Sequence, residues 1–217
     1  MAGRATGVGL EGIEGVLVQV QVERAEGLPG LDMTGLPAAS IREAKHRVRA
    51  AIGAAGYLWP RERLVVNFAP ADVPKTGTAY DLPLAAALLE QGGQLPKGAL
   101  EDAVLFGELG LEGGVHPCRG AISAALSAQR AGKRRLFVAA ESSVEAAAVP
   151  GLEVLGVSHL VELVEHLHGR RPLPCAVSDE PTRLLSEPAG LAQVKGQPLA
   201  RRAIEIAAAG GHNLLMF

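Results

Sequence analysis

The sequence predicts an α/β fold with a mixed sheet, and three observations carry that reading. Residues 15–23, GVLVQVQVE, alternate strictly: Val16, Val18, Val20 and Val22 share one face, and Gln19, Gln21 and Glu23 share the other. That is the pattern of a half-buried strand. Beyond it, short apolar runs alternate with helix-like segments as far as about residue 169, the order of an α/β domain. Aromatic residues make up only 3% of the chain while Gly numbers 27, so the core must be built from Val, Leu and Ala with close helix–sheet packing.

Taken in order, residues 24–37 are rich in Gly and Pro, with room for a short second strand that closes an opening hairpin. AASIREAKHRVRAAIGAAG reads as a helix, with Pro37 near its first turn and Ile41, Ala44, Val48 and Ile52 as its buried stripe. RLVVNFAPA is a strand. DLPLAAALLEQGG is a helix with Asp81 as its N-cap and Pro83 tolerated in the first turn. AVLFGELGL is a strand, GAISAALSAQRAG a helix and RRLFVAA a strand; Ser142 and Glu145 then stand at capping-box spacing. LEVLGV is a strand, and SHLVELVEHLHG closes the domain with Leu160, Leu163, Val164 and Leu167 inward.

From Gly169 the texture changes. Residues 170–190 hold several prolines, few apolar residues and no period, and read as a linker. Helical structure restarts near Leu191, with Pro198 at a first-turn position and Gly210–Gly211 as a stop; HNLLMF then reads as a short buried strand. The expected organisation is a domain over 1–169, a linker over 170–190 and the opening of a second domain over 191–217.

The totals exclude several classes. With 48% hydrophobic residues and a net charge of −2, the chain suits one or two globular domains. No apolar run reaches the roughly 18 residues that span a membrane, and the N-terminus lacks the apolar core of a secretory signal, so the expected compartment is the cytoplasm. Cys118 and Cys175 stand far apart and outside any CxxC, which fits neither a disulfide framework nor a zinc site. Residues 7–12, GVGLEG, match GxGxxG, but a dinucleotide fingerprint needs a strand before it and a helix after it; the expected structure here is a flexible N-terminal turn. His159, Glu162 and His166 share a helix face, yet HExxH is absent and no fourth ligand is visible, so a solvated face is expected and no metal. Arg42, Lys45, His46 and Arg49 cluster beside the buried stripe of the first helix. Arg42, Lys45 and Arg49 are the candidates for phosphate-backbone contact, which needs cations without base readout; no aromatic stacking platform accompanies them.

Several long segments, among them TGVGLEGIEG, VNFAPADVPKTGTAYDLPLAAALL, GELGLEGGVHPCRGAISAAL and QVKGQPLARRAIEIAAAGGHNLLMF, resemble the Mg-chelatase-like AAA+ ATPases of the ComM/YifB type. The resemblance implies a mixed-sheet, Lon-protease-like domain of ribosomal-protein-type βαβ architecture, then a linker and the first helix and strand of an AAA+ module. In that family the HNLLM strand runs into a phosphate loop of the GxxxxGK[ST] kind, so the chain reads as ending just before the loop that binds ATP. It implies ATP and Mg2+ as cofactors of the full-length protein, none for this chain alone, with Val194, Gly196 and Gln197 of VKGQ lining the adenine pocket. It also implies DNA as substrate, with a helicase-type branch-migration role in natural transformation, and self-assembly into a hexameric ring.

Lon-type proteases carry a nucleophilic Ser at a helix start and a basic Lys on a later helix, a pair in which the lysine takes the hydroxyl proton. Aligned on Gly77 and Gly120, those positions fall on Ala79 and Ile122, so the resemblance implies a pseudo-protease with no catalytic residues. Thr78 and Ser123 lie one residue away and are expected to point elsewhere. The rival readings are an active Ser–Lys protease, which Ala79 and Ile122 oppose, a magnesium chelatase subunit, and a purely structural oligomerisation module.

Overall fold

The computed structural model describes residues 2–35, 39–71, 75–178, 190–191 and 194–216, with the backbone alone at 39, 40 and 42. Pro37, Pro74, most of the expected linker, Phe217 and the Arg42 side chain therefore lie outside the described residues. The chain forms two compact units, Met1–Asp179 and Glu180–Phe217.

The first unit opens with strands β1 (Gly3–Glu11), β2 (Glu14–Ala25) and β3 (Gly30–Thr34), helix α1 (Ala39–Ala54) and strand β4 (Arg63–Ala69). These strands make a mixed sheet in the order β1-β2-β4-β3, antiparallel except for the β3–β4 pair. Val18, Val20 and Val22 are buried and Gln19 and Glu23 exposed, as the alternation requires. On α1 the stripe of Ile41, Ala44, Val48 and Ile52 is wholly buried against this sheet's core.

Helix α2 (Asp81–Gln91) is buried on every side, which its Ala- and Leu-rich sequence permits. Strands β5 (Ala103–Phe106), β8 (Arg135–Ala139) and β9 (Glu153–Val157) form an all-parallel second sheet in the order β5-β8-β9. Helix α3 (Ala121–Arg130) links β5 to β8, and the short α4 (Ser143–Ala146) links β8 to β9. The hairpin of β6 (Glu108–Leu109) and β7 (Val115–His116) lies between β5 and α3 in the chain. Helix α5 (Leu160–Leu167) buries Leu160, Leu163 and Val164.

Within residues 1–169 four elements differ from the sequence-based reading. Residues 7–12 are no flexible turn: Gly7 and Gly9 sit inside β1, buried, because α2 comes too close for a side chain. A Cβ at Gly7 would stand 3.0 Å from Pro83 Cγ and one at Gly9 only 2.3 Å from Tyr80 Oη. Asp81 does not cap α2; Tyr80 occupies that position and the Asp81 carboxylate is engaged elsewhere. Ser142 and Glu145 form no capping box, and Ser143 Oγ donates to Ala140 O instead. The run AVLFGELGL is two strands, since the chain breaks at Gly107 to pass beside Leu82 and Val115.

The first unit reaches Asp179, beyond the boundary expected at 169. Ala176 N donates to Val154 O at 2.8 Å, and Cys175 bridges Leu155, so residues 175–176 cover the free edge of β9. The second unit holds α6 (Pro198–Gly210), begun by Pro198 and ended by Gly211 in the left-handed region, as the sequence suggests. Residues 212–216 form no strand, because a strand needs a ladder partner and this unit's described residues supply none. Leu215 and Met216 are exposed.

Candidate functional site

The site begins at the turn that leads into α2. Asp81 N donates to Thr78 O at 3.0 Å, which closes the turn, and Gly107 N donates to Ala79 O at 3.3 Å, which ties it to the end of β5. Lys75 is completely buried and its ammonium donates to Pro70 O. Ala79 is half-buried and packs with Leu10 and Cys118 against the second core, which contains Ala121 of α3. Gly120 precedes α3 with φ +95°, and a Cβ there would strike Leu10 at 2.5 Å.

These contacts bring the turn before α2 and the head of α3 onto one apolar cluster through Ala79 and Ala121; the resemblance puts a nucleophile at the first and a base one residue beyond the second. The side chains for that chemistry are missing. Ala79 has no nucleophilic atom, and Ile122 is an aliphatic side chain 41% exposed. The neighbouring hydroxyls serve the fold: Thr78 Oγ1 donates to the Glu108 carboxylate, and Ser123 Oγ donates to Ile13 O at 2.7 Å. Cys118 is no substitute nucleophile. Burial pushes its thiol up to about 11, against the opposing hydrogen bond with Thr78, and a protonated thiol attacks poorly.

Beneath the turn, Asp81 is buried and accepts from Arg47 twice, Nε at 2.8 Å and Nη2 at 3.0 Å, and from Leu109 N at 3.3 Å. One carboxylate thus joins α1, α2 and β6. Sequence reasoning did not single out Arg47. Its signal was positional, since Arg47 stands four residues before the buried Ala51 on the inner flank of α1.

The other candidates scatter. Lys45 is half-buried and reaches Leu31 O at 3.4 Å, whereas Arg49 is exposed and its guanidinium lies 5.8 Å from the centre of the Trp59 ring. His159, Glu162 and His166 are each committed to backbone: His159 Nδ1 accepts from Val161 N, Glu162 from Ser158 N, and His166 Nδ1 from Leu173 N. In the second unit, Val194 is exposed, Gly196 has φ +73° and Gln197 φ +53° ahead of α6. Among the described residues no helix is long and apolar enough to cross a membrane.

The family described as subunit ChlI of Mg-chelatase matches residues 20–142, a stretch that includes the turn before α2 and the head of α3. The chain belongs to this family. A second match, described as magnesium chelatase, subunit ChlI, covers residues 190–217. Over 94% of its length the chain is 41% identical to YifB of Escherichia coli, of which it covers 40%, and 37% identical to the competence protein ComM of Haemophilus influenzae, of which it covers 41%. The chain thus spans about two-fifths of the length of these curated relatives. It is also similar, more distantly, to the Lon protease of Mycolicibacterium smegmatis: 28% identity over 75% of this chain and 22% of that protein.

Proposed function

We propose that this chain is the non-proteolytic binding and assembly part of a longer, ring-forming AAA+ ATPase that acts on DNA. The reading is supported by the replacement of a Ser–Lys pair by Ala79 and Ile122 that the resemblance implies, together with the hydroxyls of Thr78 and Ser123, which are bound into the scaffold. A likeness to a hydrolase without the hydrolase's reactive side chains fits a scaffold kept for binding. ComM, by its name, is a competence protein, and this favours work on DNA over tetrapyrrole metallation, the second reading that the family description supports.

In the longer protein ATP and Mg2+ would be held chiefly by a phosphate loop. Val194, Gly196 and Gln197 would supply apolar and backbone contact to an adenine ring, and they carry no cation for phosphate. Lys45 and Arg49, with Arg42, are the cations proposed to meet DNA phosphates, an interaction indifferent to sequence and weakened by salt.

The test has two arms. The unmodified chain should cleave no peptide and take no serine-reactive probe, and Ala79→Ser alone should leave it inactive for want of a base; labelling and cleavage by the unmodified chain would refute the reading. In the ATPase-length protein, Lys45→Glu with Arg49→Glu should weaken duplex binding and flatten its salt dependence. If both stay unchanged in a folded variant, that face is solvated surface; insertion of Mg2+ into a tetrapyrrole would favour the chelatase reading.

A further inference from the structure

A cleft of about 1050 Å³ opens in the first unit, at the end of β1 and β2 remote from their shared turn. Small-molecule sites usually span about 300–1,000 Å³, so this one is roomy enough for a ligand. Helix α3 meets the β1–β2 hairpin at its turn, where Ser123 and Ser127 bond Ile13 O and Gly15 O at 2.7 and 2.8 Å. Farther along the same two strands Arg4, Gln19 and Glu23 are exposed and form one wall of the cleft. The loop after α2, with Gly98 and Glu101, and Lys133 ahead of β8 form the other. The two walls are stapled together. Glu90 Oε2 accepts from Arg4 N at 2.6 Å and Glu90 Oε1 from Gly98 N at 2.9 Å. Glu101 N donates to Gly98 O at 3.2 Å, and a Cβ on Gly98 would stand 3.2 Å from Glu101 Oε1, so that carboxylate lies against the same turn. Lys133 Nζ donates to Glu101 O at 2.6 Å. A continuous run of contacts thus joins Arg4, Glu101 and Lys133.

Each wall carries a cation and a carboxylate that do not meet. On the sheet wall Arg4 stands opposite Gln21 in the register, which makes Glu23 its diagonal neighbour on the same face, about 7–8 Å away at Cα. On the loop wall Lys133 holds the main-chain oxygen of Glu101 and leaves the carboxylate of that residue without a cation. Among the described residues Arg4, Glu23, Glu101 and Lys133 make no ion pair. The buried Glu90 draws on none of them, since both its oxygens are taken by backbone N–H groups. Opposite charges held near each other but apart are complementary to a ligand that bears both signs, because each can then gain a charge-assisted hydrogen bond. A simple anion would meet the two carboxylates, and a simple cation would meet the guanidinium and the ammonium.

We infer that this cleft binds a small zwitterion, a free amino acid or a short peptide with both ends uncapped, its carboxylate on Arg4 and Lys133 and its ammonium on Glu23 and Glu101. Ala5 and Leu100, both buried, line the cleft as well and give carbon atoms of the ligand apolar contact. Thr6 and Gln19 on the sheet wall add hydroxyl and amide groups for its remaining polar atoms. The site is separate from the turn before α2, since Ala79 packs with Leu10 at the other end of β1. It is equally independent of the non-proteolytic, DNA-directed reading above, which peptide cleavage and duplex binding test by themselves.

The experiment titrates the isotope-labelled 217-residue chain with L-glutamine and, separately, with trialanine, and follows the amide resonances. One or both should give a saturable shift at the amides of Arg4, Gly98, Glu101 and Lys133, and the tighter of the two tells a free amino acid from a peptide with free ends. Acetylating the amine or amidating the carboxylate of that ligand should each weaken binding about tenfold, the loss of one charged hydrogen bond. Arg4→Gln with Lys133→Gln should weaken it as much, and so should Glu23→Gln with Glu101→Gln, each at an unchanged urea midpoint. No saturable shift from either ligand at about 10 mM overturns the inference. Capped ligands that bind as well as uncapped ones overturn it without recourse to any variant. Binding that survives both double substitutions overturns it too, and would place the ligand elsewhere on the chain.

Discussion

Arg47 and Asp81 form a bidentate ion pair across the interface of α1 and α2, with the carboxylate almost fully enclosed and the guanidinium about three-quarters so. Burial pushes the Asp81 carboxyl above its ordinary value, and the Arg47 hydrogen bonds and charge pull against that shift. The balance makes the pair conditional on both members.

Arg47→Met should therefore be costly. It leaves a buried carboxylate with Leu109 N as its remaining donor, and breaking a buried pair from one side costs about 3 kcal/mol at the low end of its range. With the cation gone the carboxyl rises further. A folded-state value raised above the unfolded one makes stability fall as pH rises through it, so the deficit should be largest near neutrality and shrink toward acid. Urea unfolding of wild type and variant at both ends of that range checks the sign; a deficit that grows toward acid would show that Asp81 is not held as described.

Gly9 and Tyr80 should be coupled. Tyr80 is buried, and its hydroxyl has no hydrogen-bond partner among the described residues, while a Cβ on Gly9 would lie 2.3 Å from that oxygen and 3.6 Å from the ring carbon behind it. Tyr80→Phe removes an unsatisfied buried hydroxyl and should raise stability by about 1 kcal/mol. Gly9→Ala in the otherwise unmodified chain should cost about 2 kcal/mol by overpacking, and clearly less when combined with Tyr80→Phe. A double-mutant cycle measures the difference, and additivity within a few tenths of a kcal/mol would refute the contact.

The same contact marks where sequence reading runs out. β2 was legible because Val18, Val20 and Val22 alternate with Gln19 and Glu23. The α1 stripe was legible because four apolar residues recur at helical spacing. β1 was not, since its residues between Ala5 and Gly9 are buried on both faces and its glycines answer to Tyr80 and Pro83, residues distant in the chain. For the same reason Asp81 reads as a cap until Arg47 is seen to claim it. At the site, Ala79 and Ile122 are assigned by resemblance alone, and the commitment of Thr78 to Glu108 and of Ser123 to Ile13 is tertiary and carries no local pattern. Residues 170–178 look like a linker because edge pairing by a Pro-rich segment involves one or two bonds and no periodicity.

Those bonds lead to the last prediction, on where the chain can be cut. Ending it after residue 179 should leave the first unit intact and more soluble, because Leu199, Ile206, Leu215 and Met216, all exposed, are removed. Ending it after 169 should be worse than that, not better. The shorter chain loses Ala176 N to Val154 O, Leu173 N to His166 Nδ1 at 2.9 Å, and the packing of Leu173 on the core. Two hydrogen bonds at about 1 kcal/mol each and a partly buried Leu give a loss of about 3 kcal/mol. His166 supplies an independent readout. Burial, and then the charge of Arg135, lower its pKa, with Glu153 opposing; its Nδ1 must stay unprotonated to accept from Leu173 N. A base whose folded-state pKa is depressed contributes stability that is complete above the unfolded value, about 6.5, and is lost as pH falls through the folded one. In the chain ending at 179, acidification below that value should lower the urea midpoint and speed amide exchange at Leu173 and Ala176. His166→Gln should remove most of that pH dependence, and the chain ending at 169 should show less of it, its histidine having lost the cover that shifts it. Equal stability of the two truncated chains at neutral pH, with the same acid response, would mean that residues 170–178 do not brace the β9 edge.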